Sequence, residues 1–181
     1  MSKLTCAITG YRPSRFRFKY NENNRDCKRL KRRMEEQFSL LYRQGVHHFI
    51  VGGALGVDMW AGEILLTMKE KPEFSEIRLT MVLPFEGYDT NWDQKSKTRN
   101  SRIRNLAEVL VVGNEPGISS YIKRNHFIVN QADIILAVFD NDRKTRSGIA
   151  MTVQYAERKK RSIVFIDPNN SVVSFYGDFF K

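Results

Sequence analysis

The sequence predicts an α/β protein with a Rossmann-like, mostly parallel sheet and helices on both faces of that sheet. Short runs rich in Val, Ile and Leu recur along the chain, and segments with helical periodicity separate them. The apolar runs are nearly continuous, as expected for strands that are buried on both faces. Because strand and helix alternate, we expect parallel strands joined by right-handed crossovers.

The apolar runs predict six strands, each followed by a turn or a helix signal. We place them at residues 4–9, 48–51, 77–83, 109–112, 134–139 and 162–166. In the first run Cys6 alternates with Leu4 and Ile8, which predicts a core position for its side chain.

Five helices are predicted between these strands. They cover residues 25–43, a segment beginning near 57 and ending before Pro72, and residues 94–107, 118–131 and 148–160. The first has the clearest pattern, because its apolar residues recur every three or four positions and form one stripe. These residues are Cys27, Leu30, Met34, Phe38 and Leu41.

A chain of 181 residues fits one domain with a sizeable core. We therefore expect a single domain over residues 1–181, with residues 167–181 as a C-terminal extension. The extension contains Phe175, Tyr176, Phe179 and Phe180. It could be an added edge strand, a cover for the core or a dimer contact, so a homo-oligomer stays open.

The composition is that of a globular protein, with 41% hydrophobic and 28% charged residues. No apolar run approaches the ~20 residues that span a bilayer, and no signal peptide is apparent. The two cysteines, Cys6 and Cys27, do not form a disulfide framework. We expect a cytoplasmic protein with no membrane partner.

The formal net charge is +10, which favours an anionic partner such as a nucleotide, a nucleic acid or a membrane surface. A solvated basic surface explains the charge equally well.

The segment after the second predicted strand gives the sharpest signal for a binding site. Gly52, Gly53 and Gly56, with Ala54 between them, stand between a strand and a helix. Glycines let backbone N–H groups face a ligand, and a helix start adds unpaired N–H groups and a positive dipole end. The loop therefore suits a phosphate, although a tight turn without a ligand has the same sequence signature. Asp58 stabilises the helix dipole, accepts hydrogen bonds from a ribose, or fixes the loop.

Ligands of parallel sheets bind beyond the carboxyl ends of the strands, so the loops after the first and third strands belong to the same edge. The first loop contains Thr9, Gly10 and Arg12, and the arginine offers a bidentate fork for phosphate or carboxylate. The third strand ends in Pro84 and Phe85. Phe85 either stacks on a base or packs beneath the loop.

The loop after the fifth strand is the second candidate for an anion contact. Ser147 is a predicted N-cap and Gly148 opens the next helix, with Arg143, Lys144 and Arg146 just before them. The alternative is a mobile, solvated loop.

Several site classes are not supported. The chain has no P-loop, no G-x-G-x-x-G after the first strand and no G-x-S-x-G elbow. His47, His48, His126 and the two cysteines do not have zinc-site spacing. We expect no metal and no cofactor, and the sequence assigns no catalytic residue.

Three segments together resemble the YpsA-like branch of the SLOG superfamily, which groups the DNA-processing proteins Smf/DprA with the LOG-type (lysine-decarboxylase-like) nucleotide enzymes. They are ITGYRP at 8–13, GGALGVDMWAGE at 52–63, and Pro84-Phe85 with Trp92. The resemblance spans residues 4–166 and implies a Rossmann-like sheet with its ligand site over these loops. Arg124 and Asn125 resemble a recurrent Arg-Asn pair that would line the site wall. Their alternative role is a helix-surface salt bridge.

The branches of the superfamily imply different activities. Residues 53–58 look like the G-x-A-x-G-[IV]-D of the DNA-processing proteins, which bind single-stranded DNA. LOG-type enzymes carry P-G-G-x-G-T-x-x-E and cleave the base from a nucleoside monophosphate. With Gly53 and Gly56 on the second and third glycines of that motif, Trp60 stands at its Glu and Glu63 lies almost a turn further on. Hydrolysis needs a carboxylate at the glycosidic bond, so this departure argues against it. Ile149, where relatives often have Thr, also lacks the hydroxyl for a second phosphate contact.

We therefore predict a binding module for a nucleotide or a nucleotide-derived phosphate ligand, such as a sensor or regulator. The first alternative is a single-stranded nucleic-acid binding protein of DNA-processing type. The second is a nucleoside-monophosphate N-glycosidic hydrolase, which ranks last because no acid–base pair is apparent. The basic residues fall into separate sets, so we expect weak, sequence-independent DNA binding that falls steeply with salt. The predicted site residues are Thr9, Gly10, Arg12, Gly52, Gly53, Ala54, Gly56, Asp58, Pro84, Arg124, Asn125, Ser147 and Gly148.

Overall fold

A computed structural model describes residues 3–181. Its strands are β1 (Leu4–Gly10), β2 (Val46–Val51), β3 (Arg78–Leu83), β4 (Glu108–Val111), β5 (Ile134–Val138), β6 (Ser162–Ile166) and β7 (Val173–Tyr176). Its α-helices are α1 (Arg25–Arg43), α2 (Val57–Lys69), α3 (Gln94–Leu106), α4 (Ile118–Gln131) and α5 (Gly148–Arg158). Short 3₁₀ helices lie at Pro13–Arg15, Pro72–Phe74 and Asp178–Phe180.

The strands form one sheet in the order β4-β3-β2-β1-β5-β6-β7. Every neighbouring pair from β4 to β6 is parallel, and β7 alone runs antiparallel to its neighbour β6. The predicted α/β, mostly parallel sheet is therefore confirmed.

The helices form two groups. The first group contains α1, α2 and α3, which pack side by side, and the second contains α4 and α5. The chain moves from β1 toward β4 through the first group and back toward β6 through the second. Because the crossovers are right-handed, opposite directions of travel place the two groups on opposite faces of the sheet.

The core contains the residues that the helical periodicity selects. The stripe of α1, from Cys27 to Leu41, is buried throughout, and Cys6 is buried in β1 as predicted. Asn24 caps α1 by accepting a hydrogen bond from the Asp26 N–H at 2.8 Å. The helix is thus specified both by its apolar face and by its N-cap.

β2 begins two residues earlier than predicted, because the polar side chain of His47 interrupts the apolar run. His48 crosses the sheet between two threonines, 3.3 Å from Thr5 Oγ1 and 2.7 Å from Thr80 Oγ1. Burial, with the charge of Arg78, lowers the pKa of His48. A histidine held in this way occupies a strand without adding to its apolar run.

The C-terminal segment supplies the edge strand β7 and part of the core cover. Phe179 and Phe180 pack against the core, whereas Phe175 stays exposed. Arg29 and Arg33 of α1 donate hydrogen bonds to the carbonyls of the loop before β7, at 3.0 and 3.1 Å. Two of the three expected roles of this segment are therefore present, and the dimer contact stays a prediction.

Within residues 3–181, no helix combines the length and the apolar character needed to cross a membrane.

Candidate ligand-binding site

The order of the strands reverses between β1 and β5, and a crevice opens at their carboxyl ends. Such a switch point is where ligands bind in open α/β sheets. The loop after β1 closes onto the start of α2, where the Val57 N–H donates a hydrogen bond to Tyr11 O at 3.3 Å. Gly10 makes this approach possible, because a Cβ there would lie 2.6 Å from the Val57 side chain.

The loop between β2 and α2 requires its glycines for backbone reasons. Gly53 and Gly56 have φ values of +75° and +84°, a region that L side chains rarely adopt. A Cβ at Gly52 would lie 2.6 Å from Arg124 Nη1 and 2.8 Å from Asp58 Oδ2. These constraints hold with or without a ligand, so the glycines alone do not establish a phosphate site.

Asp58 is buried in the first turn of α2 and holds the glycine loop. Its Oδ2 accepts a hydrogen bond from the Ala54 N–H at 3.2 Å. Burial raises the pKa of Asp58, and Arg124, the Ala54 N–H and Arg12 oppose that rise. Of the three roles considered for Asp58, fixing the loop is the one with a direct contact. The same contact occupies a backbone N–H that the sequence analysis assigned to a ligand.

Arg124 is buried on α4 and forms part of the crevice wall. Its Nη1 donates a hydrogen bond to Gly52 O, and its Nε donates to Asn125 Oδ1 at 2.8 Å. Burial lowers the pKa of Arg124, while the charge of Asp58 opposes this effect. Arg124 is therefore a wall residue and does not form the surface salt bridge considered as its alternative.

Two guanidinium groups flank one aromatic ring in the crevice. The Cζ atoms of Arg12 and Arg124 lie 5.7 and 5.6 Å from the centroid of the Tyr121 ring, within the range of cation–π attraction. Arg12 is exposed and forms no hydrogen bond or salt bridge from its side chain within residues 3–181. Phe85 is buried and meets the Tyr121 ring edge-on at 5.7 Å. Of the two roles considered for Phe85, packing beneath the loop is therefore the one that the structure shows.

A cavity of about 350 Å³ fills the crevice. Ile8, Ile128 and Ile149 give it an apolar part, and its basic side chains come from three different segments. The predicted site residues that line it are Thr9, Gly10, Arg12, Ala54, Asp58, Arg124, Asn125, Ser147 and Gly148.

The remaining predicted residues, Gly52, Gly53, Gly56 and Pro84, lie outside the cavity lining. They are covered by other parts of the chain. The side chain of Arg124 lies over Gly52, and the backbone of Tyr11 covers Gly56. The carbonyl oxygen of Pro84 lies so close to Gly113 that a Cβ added at Gly113 would clash with it. These residues therefore lie beneath the cavity wall and support the residues that line it.

A smaller cavity of about 40 Å³ adjoins the larger one, and Arg12, Ala54, Tyr121 and Arg124 line both. Its other walls are Leu55, Tyr88 and Trp92. Trp92 comes from a segment that the family resemblance includes, whereas the sequence analysis did not select Tyr88 or Tyr121. Tyr121 precedes Arg124 by one helical turn, and this spacing was the available signal for it.

Tyr88 fastens the glycine loop to α3. Its hydroxyl donates a hydrogen bond to Gly53 O at 2.9 Å and accepts one from Asn100 Nδ2 at 2.8 Å. Asn100 is buried and also donates to Asp89 Oδ2 at 2.9 Å. Burial raises the pKa of Tyr88 to about 12, so the phenol stays protonated at neutral pH.

The start of α5 forms another wall of the crevice. Ser147 accepts a hydrogen bond from the Ala150 N–H at 3.1 Å, which confirms it as the N-cap. Arg146 reaches the cavity. Arg143 instead donates two hydrogen bonds of 2.7 Å to Glu157, so its charge is already balanced.

Neither Trp60 nor Glu63, the two residues compared with the LOG-type glutamate, lines the larger cavity. Trp60, at the position of the LOG-type glutamate, is buried in the core with Phe16 and Phe18 around it. Glu63 forms a salt bridge with Arg99 at 2.5 Å. Asp58 is the one carboxylate in the lining of the larger cavity within residues 3–181. The same part of the chain contains no cluster of three or more His, Cys, Asp or Glu side chains that could hold a metal ion.

A family model described as the YspA SLOG family (YpsA) matches residues 6–171. Similar proteins include a UPF0398 protein of Shouchella clausii, 26% identical over 140 residues that cover 76% of this chain and 73% of the relative. A UPF0398 protein of Halalkalibacterium halodurans is 26% identical over 139 residues, which cover 75% and 72% of the two chains.

Among solved structures, DNA processing protein A of Helicobacter pylori is similar with a TM-score of 0.59 at 19% identity. The match covers 91% of this chain and 66% of that chain. The description of that structure concerns the single-stranded DNA binding mode of the Helicobacter protein. At this level of identity the similarity concerns the fold.

Proposed function

The chain belongs to the YspA SLOG family, and from the geometry of its crevice we propose that it binds a nucleotide or a nucleotide-derived phosphate ligand. One observation carries the proposal. Arg12 and Arg124 flank the Tyr121 ring at a cavity over the carboxyl ends of β1 and β5. Guanidinium groups bind phosphate oxygens, and an aromatic ring beside them offers a surface for a base or a sugar.

The size and composition of the cavity support a small ligand. Its volume of about 350 Å³ lies at the lower end of the range for small-molecule sites, ~300–1,000 Å³. Apolar side chains on one part of its wall and a few polar groups on the rest are the usual combination in such sites. A compact nucleotide fits this description better than an extended macromolecular surface does.

The two arginines have complementary properties. Arg124 is buried and its Nε and Nη1 are held by Asn125 and Gly52, so it gives a positive charge at a fixed place. Arg12 is exposed and forms no hydrogen bond or salt bridge from its side chain within the described residues, so its N–H donors are available to a ligand. A preorganised charge loses little conformational entropy on binding, and the exposed arginine adds a second contact.

Isothermal titration calorimetry with a panel of nucleoside mono-, di- and triphosphates tests this function. Arg12→Ala and Arg12→Lys should both weaken binding, because lysine does not reproduce the bidentate geometry of the guanidinium. Arg17→Ala is the matched control, since Arg17 is exposed in the same loop and does not line the cavity. A loss in the alanine variant alone would reduce the role of Arg12 to general charge attraction. Absence of binding by every nucleotide would refute the proposal.

Gly53→Asp adds a test that does not depend on arginine. A side chain there would meet the Tyr88 hydroxyl, because even a Cβ would lie 2.7 Å from it, and the aspartate adds negative charge beside the crevice. We expect nucleotide binding to be lost while the circular-dichroism spectrum remains that of the folded chain. Undiminished nucleotide binding by the folded variant would contradict this model of the site.

Single-stranded DNA binding is the second candidate function, and the similarity to DNA processing protein A favours it. The arrangement of the basic side chains argues against tight DNA binding, because they are dispersed or already paired. Arg143 is paired with Glu157, and Arg99 is paired with Glu22 and Glu63. A strand needs a continuous positive track with exposed aromatic residues. We expect weak DNA binding with a steep salt dependence. In a fluorescence-anisotropy titration, submicromolar binding at physiological salt that is lost in Arg15→Ala would instead make DNA the primary ligand.

A further inference from the structure

Resting on the proposed function, we infer that the crevice selects a ligand with a terminal phosphate monoester over a phosphate diester. The two groups differ in charge. Near pH 7 a monoester carries about −1.5 to −2, because its second pKa is about 6, whereas a diester carries a single negative charge at any pH in this range. The inference follows from the charges that the cavity wall presents.

Positive charge on the wall exceeds negative charge by a wide margin. Four arginines line the cavity, and Asp58 is the single carboxylate among the lining residues that the structure describes. The surplus is three positive charges before a ligand binds. The four arginines are Arg12, Arg15, Arg124 and Arg146.

Neighbouring acids act on these arginines through space and not through direct ion pairs: Asp58 on Arg12 and Arg124, and Asp142 on Arg15. None of the four forms a salt bridge within residues 3–181, in contrast to Arg99 and Arg143, which are bound to glutamates. Asp58, the carboxylate of the cavity lining, is itself buried and holds the Ala54 N–H. A ligand with one charge would therefore leave most of the surplus in place, and a dianion removes more of it.

Burial makes this difference in charge important for affinity. Arg124 is nine-tenths or more buried, and electrostatic interactions away from bulk water are screened less than those at the surface. Gly148 carries no side chain and has open space beside it, so the N–H groups of the first turn of α5 add to the same positive field. The second charge of a monoester therefore meets several unsatisfied positive groups.

The charged and titratable groups that face the cavity allow a pH test. They are Arg12, Arg15 and Tyr11 from the loop after β1, Asp58 from α2, Tyr121 and Arg124 from α4, and Arg146 from the loop before α5. No histidine lines this cavity within the described part of the chain. Burial, with the neighbouring Asp140, raises the pKa of Tyr11, so that phenol stays neutral.

Asp58, the carboxylate of the lining, would produce a pH dependence of opposite sign. Burial raises its pKa, and protonation at low pH would make the cavity more positive and strengthen anion binding. The second ionisation of a monoester instead strengthens binding as the pH rises from 5.5 to 7.5. The direction of the pH dependence therefore separates the ligand's charge from that of the protein.

The test compares each of the four common nucleoside 5′-monophosphates with its 5′-methyl ester by calorimetry at pH 7.5 and 5.5. The ester keeps the base and sugar and loses one negative charge. We expect the best monophosphate to bind at least about tenfold more tightly than its ester at pH 7.5, a difference of roughly 1.4 kcal/mol, and we expect this ratio to shrink at pH 5.5. Arg146→Ala should reduce the ratio at pH 7.5. Arg143→Ala is the control, because Glu157 already holds that side chain.

The outcomes separate the two proposals. Equal affinities for a monophosphate and its ester, or a preference for the ester, would overturn the monoester inference and leave the nucleotide function standing. Tighter binding of the monophosphate at pH 5.5 than at pH 7.5 would also overturn it. If neither the monophosphates nor the esters bind, the proposed function fails and the inference fails with it.

Discussion

Tyr88→Phe is the sharpest test of how the glycine loop is held. The substitution removes one hydroxyl oxygen and leaves the ring against Trp92, which it meets edge-on at 5.5 Å. That oxygen donates to Gly53 O at 2.9 Å and accepts from Asn100 Nδ2 at 2.8 Å. Both hydrogen bonds are lost together, while the aromatic packing stays.

The magnitude follows from these two bonds. Each is worth about 1 kcal/mol net, so we expect the free energy of unfolding to fall by about 2 kcal/mol. For a chain of this length, 1 kcal/mol corresponds to roughly 2–4 °C in Tm, which predicts a decrease of about 4–8 °C. Asn100 keeps its bond to Asp89, so no larger loss from an unsatisfied amide is expected.

Chemical denaturation and differential scanning calorimetry measure the effect. Tyr20→Phe makes the same chemical change at a position that is 69% exposed and has no side-chain hydrogen bond within residues 3–181, so it should change the unfolding free energy by less than about 0.5 kcal/mol. A double-mutant cycle with Asn100→Ala should give a coupling of at least about 0.5 kcal/mol, because the two side chains share a bond. If Tyr88→Phe and Tyr20→Phe are equally stable, the clamp on Gly53 does not exist as described.

Two further substitutions test other parts of the structure. Gly56→Ala should lower the unfolding free energy by about 2 kcal/mol or more, because φ is +84° and the new Cβ would lie 2.6 Å from Tyr11 O. Gly148→Ala is the control and should be close to neutral, because the space beside Gly148 is open. Similar urea midpoints for the two variants would contradict the predicted strain at Gly56. Although burial opposes its ionisation, hydrogen bonds from Arg99 and Lys31 lower the pKa of Glu22 from 4.5 to about 2, so the stabilisation by ionised Glu22 is complete above pH 4.5 and is lost as the pH falls toward 2. Glu22→Gln should therefore be less stable than the parent at pH 6 and equal to it near pH 2. A difference in stability that does not change with pH would show that the ion pairs of Glu22 are not its cause.

The parts of the fold that were predicted correctly depend on contacts that are close in sequence. The stripe of α1 is a periodicity within one helix, and the Ser147 cap bonds a residue three positions along the chain. Glycine positions were also visible, because the backbone conformations of Gly53 and Gly56 exclude most other residues. Each of these signals can be recognised within a short window of sequence.

The features that were missed depend on residues far apart in sequence. The side chain of His48 lies within hydrogen-bond distance of Thr5 and Thr80 on the two neighbouring strands, and the run of apolar residues does not reveal these contacts. Tyr88 bonds a carbonyl 35 positions away, and only the folded sheet brings the two together. The antiparallel direction of β7 likewise depends on the turn before it, which α1 holds through Arg29 and Arg33.

The net charge of +10 does not show which basic side chains are available to an anionic ligand. That depends on which of them form salt bridges, and the sequence does not display these pairs. Arg78, Arg99 and Arg143 are bound to glutamates, so these three charges are locally balanced. The arginines around the crevice have no such partner within the described residues, and they come from segments that are distant in sequence. Several unpaired arginines at one cavity suit a compact anion, whereas a nucleic-acid strand needs a positive track that continues across the surface. Our proposal of a small phosphate ligand therefore depends on the arginines that line this cavity and not on the net charge.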